Sequence, residues 1–345
     1  MSSRPGWAVT LLWLCSCGEE AMPPWLLTEE PRLLGARVEV VEPGPLSDGL
    51  LPIPADRVRS QALPGDTVEV SAWAYLGREG DTAEAEPAWF MCPRTGGCVA
   101  PIGRSSGPCG ESVPERVACR LPDGERVRVV VPPLDVDLPF EDQVFIRLAF
   151  VGHADASMTT QECIETISDP SALDWGPCIV GYRGITLGPA PRFVGHALDL
   201  GFELPEGLAT FVGEDVVPPY NPEAVPIELR PYYGVAGGDP TRAVIAAPGQ
   251  VAVLEPGQVY TSRQLFDPKD IQTVVEFSGE YVAIEDSVPA RTLSSATPGV
   301  VALSEAQGWE IWTPNEPSEF SVNLVLSDRA GGAAWGAYRF EVREP

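Results

Sequence analysis

Short runs in which apolar and polar residues alternate recur along this chain, among them Arg37-Val38-Glu39-Val40, Val68-Glu69-Val70-Ser71-Ala72, Arg126-Val127-Arg128-Val129 and Val144-Phe145-Ile146-Arg147-Leu148. A period of two places successive side chains on opposite faces of an extended chain, so each run predicts one β-strand with one face turned to a core. Phe320, Val322, Leu324 and Leu326 alternate in the same way near the C-terminus. Helical periodicity is nearly absent. The segment from Met158 to Ile167 predicts one short helix and Asp267 to Ile271 a single turn, neither of them expected to carry a core.

Turns separate the strand runs. The 345 residues include 34 glycines and 37 prolines, about a fifth of the chain, which is high for a globular protein and below the level of wholesale disorder. Short strands at near-regular spacing, punctuated in this way, predict an all-β protein built from two-sheet sandwiches, and the length calls for two of them. Pro189-Ala190-Pro191 forms the natural joint, which divides the chain into residues 31–188 and 192–345. Within the first unit, 92–119 and 163–178 read as loop insertions stapled by disulfides.

Ahead of the first strand, Trp7-Ala8-Val9-Thr10-Leu11-Leu12-Trp13 leads into Leu14-Cys15-Ser16-Cys17. An apolar run of about 8 residues is far below the ~20 that cross a bilayer and reads as an export signal. A hydrophobic residue three places before a cysteine, with small residues between, is the pattern of a bacterial lipobox. Residues 1–16 are therefore expected to be a lipoprotein signal peptide, Cys17 the lipidated residue, and 17–30, with Pro23 and Pro24, a tether. Gly18 stands where an Asp signals inner-membrane retention in Gram-negative lipoproteins, which implies the outer membrane, with the protein facing the periplasm or the cell surface.

Export to an oxidising compartment also gives the remaining cysteines a use. Cys92, Cys98, Cys109, Cys119, Cys163 and Cys178 supply three disulfides among 15 possible pairings, with neighbours in sequence the expected partners. Cys92-x5-Cys98 and Cys109-x9-Cys119 lack the paired C-x2-C knuckles of a zinc site, and no metal or cofactor is expected.

A net charge of −26 repels nucleic acid and anionic lipid. The acidic residues are scattered through turns with no calcium-loop spacing; Asp135-Val136-Asp137 is the nearest fragment and reads as two solvated carboxylates. Gly103-Arg104-Ser105-Ser106-Gly107 matches G-x-S-x-G, but a nucleophile elbow needs a buried strand before it and a helix after it, and Pro101, Pro108 and two cysteines surround this stretch. His153 and His196 have no patterned partner, so no catalysis is expected. Among the aromatics, Trp73, Trp89, Trp309, Trp312 and Trp335 offer a stacking platform for sugar rings or core filling; Trp89 and Trp312 read as core, Trp335 and Tyr338 as exposed.

Leu33-Leu34-Gly35-Ala36-Arg37-Val38, followed by Leu63-Pro64-Gly65-Asp66-Thr67-Val68-Glu69-Val70, resembles the opening of bacterial immunoglobulin-like domains. Trp309 to Pro314, Phe320 to Leu326, Ser327 to Gly332 and Ala337 to Val342 resemble the last strands of PKD-related repeats, with Asp328 in the final hairpin turn, although the W-D-x-G-D motif of that group is missing. The chain thus resembles uncharacterised Gram-negative lipoproteins with tandem domains of this kind. The resemblance implies two immunoglobulin-like β-sandwiches and carries over no catalytic residue. The expected function is a lipid-anchored structural or adhesive module of the cell envelope, held to the membrane by its N-terminal lipid and binding an envelope protein, with an open strand edge as one route to a partner. Carbohydrate or peptidoglycan binding is the alternative.

Overall fold

The computed structural model describes residues 32–344, apart from 76–81, 84–86, 95–97, 99–101, 103–104, 106, 156, 170, 172–174, 189–190, 205, 210–216, 235–237, 266–267, 278–281, 288–289, 296–299, 305–307 and 328–330. The leader, Cys17, the tether and Asp328 lie outside the described residues.

The protein is built mostly of β-sheet, in two immunoglobulin-like sandwiches. In the first, β1 (Arg32–Glu42) and β6 (Arg126–Val130) flank β2 (Thr67–Tyr75), whose far end also pairs with β3 (Thr82–Ala83). The facing sheet has the order β5 (Cys119–Arg120), β4 (Ala88–Met91), β7 (Phe145–His153), β8 (Cys178–Thr186). Alternation decides the core: Val38, Val40, Val68, Val70, Val127 and Val129 point inward from one sheet and meet Trp89, Met91, Ile146, Leu148, Phe150 and Ile185 from the other. Val127 and Val129 are buried while Arg126, Arg128 and Val130 on the same strand are exposed.

Two helices extend this unit. In α1 (Thr160–Ser168) a capping box forms, in which the Thr159 side chain accepts from the Glu162 N–H while the Glu162 carboxylate accepts from Thr159. Contrary to expectation, this helix does carry a core. Cys163, Ile164 and Ile167 lie on one helical face and pack with Phe90 and Val151 on the outer side of the β4–β7 pair. The second helix, α2 (Pro191–Asp199), was not foreseen, and its Phe193, Val194 and Ala197 are buried in the first core. Packing continues past the expected joint at Pro189–Pro191, because Leu208 belongs to the same core.

The second sandwich sets β9 (Ile227–Pro231), β12 (Val259–Gln264), β17 (Gly308–Trp312) and β16 (Val301–Ser304), in that order, against β15 (Ala290–Ser295), β18 (Ser318–Ser327) and β19 (Ala333–Val342). This four-on-three arrangement is that of the constant-type immunoglobulin sandwich. β10 (Val244–Ala246) extends the first of these sheets beyond β9, β11 (Val251–Leu254) adds in parallel to β19, and β13 (Gln272–Phe277) with β14 (Val282–Ser287) forms a separate hairpin. Its core includes Leu229, Tyr260, Ile311, Phe320, Val322, Leu324, Tyr338 and Phe340. Tyr338, expected to be exposed, shares the inward parity of Phe340 and Val342; its hydroxyl donates to the Val225 carbonyl at 2.6 Å.

The two sandwiches are joined by directed polar contacts. The buried Asn221 side chain donates to the Val38 carbonyl at 2.7 Å and accepts from the Ala333 N–H at 2.9 Å, so one residue bonds to a strand of each unit. The buried Arg57 Nε donates to Asp270 at 3.1 Å. The Trp73 and Trp335 rings stack with centroids 6.0 Å apart. Inside the first unit the fully buried Asp66 carboxylate accepts from Gly44 N–H at 2.6 Å, Ser47 Oγ at 2.6 Å and Leu63 N–H at 2.7 Å, and pairs with Arg59. The aspartate of the Pro-Gly-Asp-Thr stretch is thus a node tying the turn before β2 to the chain after β1.

Replacing Asp66 by Ala leaves the buried Arg59 uncompensated and is expected to cost about 3–5 kcal/mol, read as a lowered midpoint of urea unfolding. A loss within about 0.5 kcal/mol, the range of an ordinary surface change, would contradict the node. Burial pushes the Tyr338 phenol well above its ordinary range. A raised folded-state value gives a contribution that is complete below about pH 10 and declines as the pH rises further. Tyr338→Phe is therefore expected to destabilise at pH 8, where it unpairs the Val225 carbonyl, and to flatten the decline between pH 10 and 11.

Candidate functional site

The candidate site is a groove on one flank of the first sandwich, where the edges of its two sheets face each other. One wall is the edge of β6, from which the consecutive residues Arg128, Val129 and Val130, continued by Val131, line the groove. Lining by consecutive residues of a strand means that the backbone edge, and not one face, forms the wall. The opposite wall is the segment from Gly107 to Glu111, which runs along the outer edge of β5: the Cys109 N–H donates to the Arg120 carbonyl at 3.0 Å and the Arg120 N–H to the Gly107 carbonyl at 2.8 Å.

The floor consists of core residues. Met91, Leu121, Val129 and Val131, all buried, line it from below, and Pro108, Pro122, Pro132 and Pro133 give it stiff apolar shoulders. The cavity volume is about 1040 Å³, at the top of the range for small-ligand sites. Around the rim stand Arg120, bonded to both oxygens of Asp123 at 3.0–3.1 Å, Arg128, and Glu111. An apolar floor flanked by backbone suits an extended segment with apolar side chains better than a small polar substrate.

The cysteines shape this flank. Cys92 is joined to Cys98, Cys109 to Cys119 and Cys163 to Cys178, each with its neighbour in sequence. The second of these ties the groove's outer wall to β5. The third fastens α1 to the start of β8, with both sulfurs against Met158. All six belong to the first unit and none is left as a thiol ligand.

Other residues singled out by the sequence do not converge. Ser105 is exposed at the groove mouth, its N–H bonded to the Ile102 carbonyl, and among the described residues lining the groove there is no histidine. The His153 ring contacts the Asp155 carbonyl at 2.8 Å, and His196 lies on α2. Asp135 accepts from the Asp137 N–H at 3.0 Å in an exposed turn. Among the described residues no three His, Cys, Asp or Glu side chains gather as a metal site would require.

The aromatic residues spread in the same way. Trp89 and Trp309 are buried, and Trp73 and Trp335 spend their flat faces on each other. Trp335, read as exposed, is half-buried in that stack. Trp312, read as core, is half-exposed: on β17 the inward parity belongs to Trp309 and Ile311, which leaves Glu310 and Trp312 on the outer face, joined at 3.0 Å.

The groove was not foreseen. Its only sequence signals are the five residues that separate Arg120 from Arg126 and the uninterrupted Val129-Val130-Val131-Pro132-Pro133 that follows.

No protein-family model matches this chain, and no curated protein is significantly similar to it. Among solved structures it is similar to the protocadherin gamma B2 extracellular cadherin domains 3–6, at 11% identity over 83% of this chain with a TM-score of 0.16; the match spans about half, 48%, of that chain.

The Cys109–Cys119 bridge closes a short loop, and its removal by paired Cys109→Ser and Cys119→Ser substitutions is expected to cost about 2–3 kcal/mol in urea unfolding. Hydrogen exchange should quicken first in residues 107–111; unchanged exchange there would show that the bridge does not hold the wall.

Proposed function

We propose that this protein is a structural or adhesive module of the cell envelope that holds a partner protein by surface recognition and performs no reaction of its own. The observation that carries this reading is the groove beside β6, an apolar-floored opening into a sandwich core, walled by backbone. A sheet edge left open to solvent presents unpaired backbone groups to another chain, and here the edge, although short and carrying two arginines, stands over core residues. The polar contacts between the sandwiches support the same reading, because a module that bears load between membrane and partner gains from a stiff joint.

Attachment follows from the leader. Cys17, acylated and preceded by a removable signal, places the protein on the outer membrane facing the periplasm or the surface, with the acyl chains adding about 0.8 kcal/mol per buried methylene. The sugar-binding alternative needs two exposed coplanar rings, and the parallel pair Trp73 and Trp335 is packed on itself.

The reading is tested in intact cells by photo-crosslinking. A benzophenone amino acid at Val130, on the groove rim, should yield one defined protein adduct, while the same group at the equally exposed Val136 should yield none. Cys17→Ser should release the protein from membranes and lose the adduct. Identical background products from both positions would count against a protein-binding groove, and a Cys17→Ser variant that still fractionates with membranes would remove the anchor.

A further inference from the structure

The two sandwiches can be compared strand for strand. In the first, β1-β2-β6 takes the places that β9-β12-β17 take in the second, and β4-β7-β8 those of β15-β18-β19. One place differs. In the second sandwich β16 pairs antiparallel with the outer edge of β17, whereas among the described strands none pairs with the outer edge of β6, and the groove lies at that position. We propose that the groove is the vacant place of a strand, filled when a partner protein donates an extended segment that pairs with β6 as β16 pairs with β17. This rests on the protein-binding reading above and adds its mode and chemistry.

The backbone of β6 is set for the addition. Val131 turns both its polar backbone groups toward the chain before β2, donating to the Asp66 carbonyl at 2.8 Å and accepting from the Gly65 N–H at 2.9 Å. Alternation then directs the N–H and carbonyl of Val130 the other way, toward the groove. A strand laid along this edge has alternate side chains over Met91, Leu121 and Val129, which calls for apolar residues there. Its remaining side chains lie on the outer face beside Arg126 and Arg128, about 60% exposed and the only charged residues of β6, where Arg126 already pairs with Glu69 at 2.9 Å and Arg128 with Glu42 at 3.4 Å and Glu69 at 3.5 Å. Cross-strand pairing favours acidic residues at those positions. The donated segment is therefore extended, apolar at every second position, acidic between, and free of proline where it pairs.

Among the described residues the chain places no strand of its own there. Only residues 121–125 join β5 to β6, and they are spent crossing between sheets. The N-terminal segment enters at Arg32 on β1, which pairs with Tyr75 of β2, at the opposite edge of this sheet and the far end of β2 from Thr67. A second copy brings a like charge of −26.

The test uses the full-length protein, immobilised, and a display library of random dodecapeptides, with an enriched peptide then measured in solution against variants. Enriched peptides should alternate apolar with acidic or polar residues, and Val130→Pro, which removes a groove-facing N–H and no bond to β2, should weaken them about tenfold. Arg128→Glu should invert the preference from acidic to basic outward residues, a readout that survives if the proline variant fails to fold. Val251→Ser, on the exposed edge strand β11, should change nothing. No enrichment, peptides without alternation, or equal affinity for wild type and Val130→Pro would each overturn strand addition. So would tight binding of a synthetic peptide of residues 17–31, or a dimer at micromolar concentration lost in Val130→Pro, since the chain would then supply its own occupant. The Val130 adduct in cells stands or falls separately, so a partner seated on the groove without strand pairing remains distinguishable.

Discussion

Five residues separate β5 from β6, and the chain must cross from one sheet to the other within them. Packed sheets stand roughly 10 Å apart and an extended residue advances about 3.3 Å, so the crossing leaves nothing with which to build a strand on that flank. This constraint shapes the candidate site. It leaves β6 with one unpaired edge, opens the core at Met91, Leu121 and Val129 to the outside, and gives the segment bridged by Cys109 and Cys119 the task of walling the opening. The second sandwich has 12 residues between β15 and β17 and uses them for β16, whereas the first spends the 34 between β4 and β6 on β5 and the bridged segment before it.

Placing an opening of this kind on a stable frame requires the rest of the unit to be held firmly. The Asp66 carboxylate collects three hydrogen bonds and an arginine within a few residues of the groove's Gly65, fixing the start of β2 to which β6 is paired. On the far side, α1 and the Cys163–Cys178 bridge cover the outer face of the other sheet, and α2 closes one end of the core. The polar contacts of Asn221 and Arg57 then transmit that order to the second sandwich.

The strands were legible because a period of two survives in short segments such as Arg126 to Val130, and one short helix was legible in the segment from Met158 to Ile167. What alternation could not give was parity at positions with mixed neighbours. Trp312 read as core from its place inside an apolar strand, yet Trp309 and Ile311 had already claimed the inward face. The helix at Pro191 begins within a Pro-Ala-Pro stretch that reads as a joint, and it is tertiary packing on Phe140 that recruits Phe193. The cysteines were legible as a set. The groove was not, because it depends on the relative position of two edges that belong to different sheets, and no local pattern encodes that distance.

The most direct test of the account is amide hydrogen exchange on the full-length protein alone and in complex with the partner captured at Val130. Strand addition predicts that the Arg128 and Val130 amides, fast in the free protein, become protected in the complex, while those of Val127 and Val129, already in the ladder with β2, change little. Equal exchange at Val130 in both states would contradict it, and the groove would then be a surface that touches its partner through side chains alone.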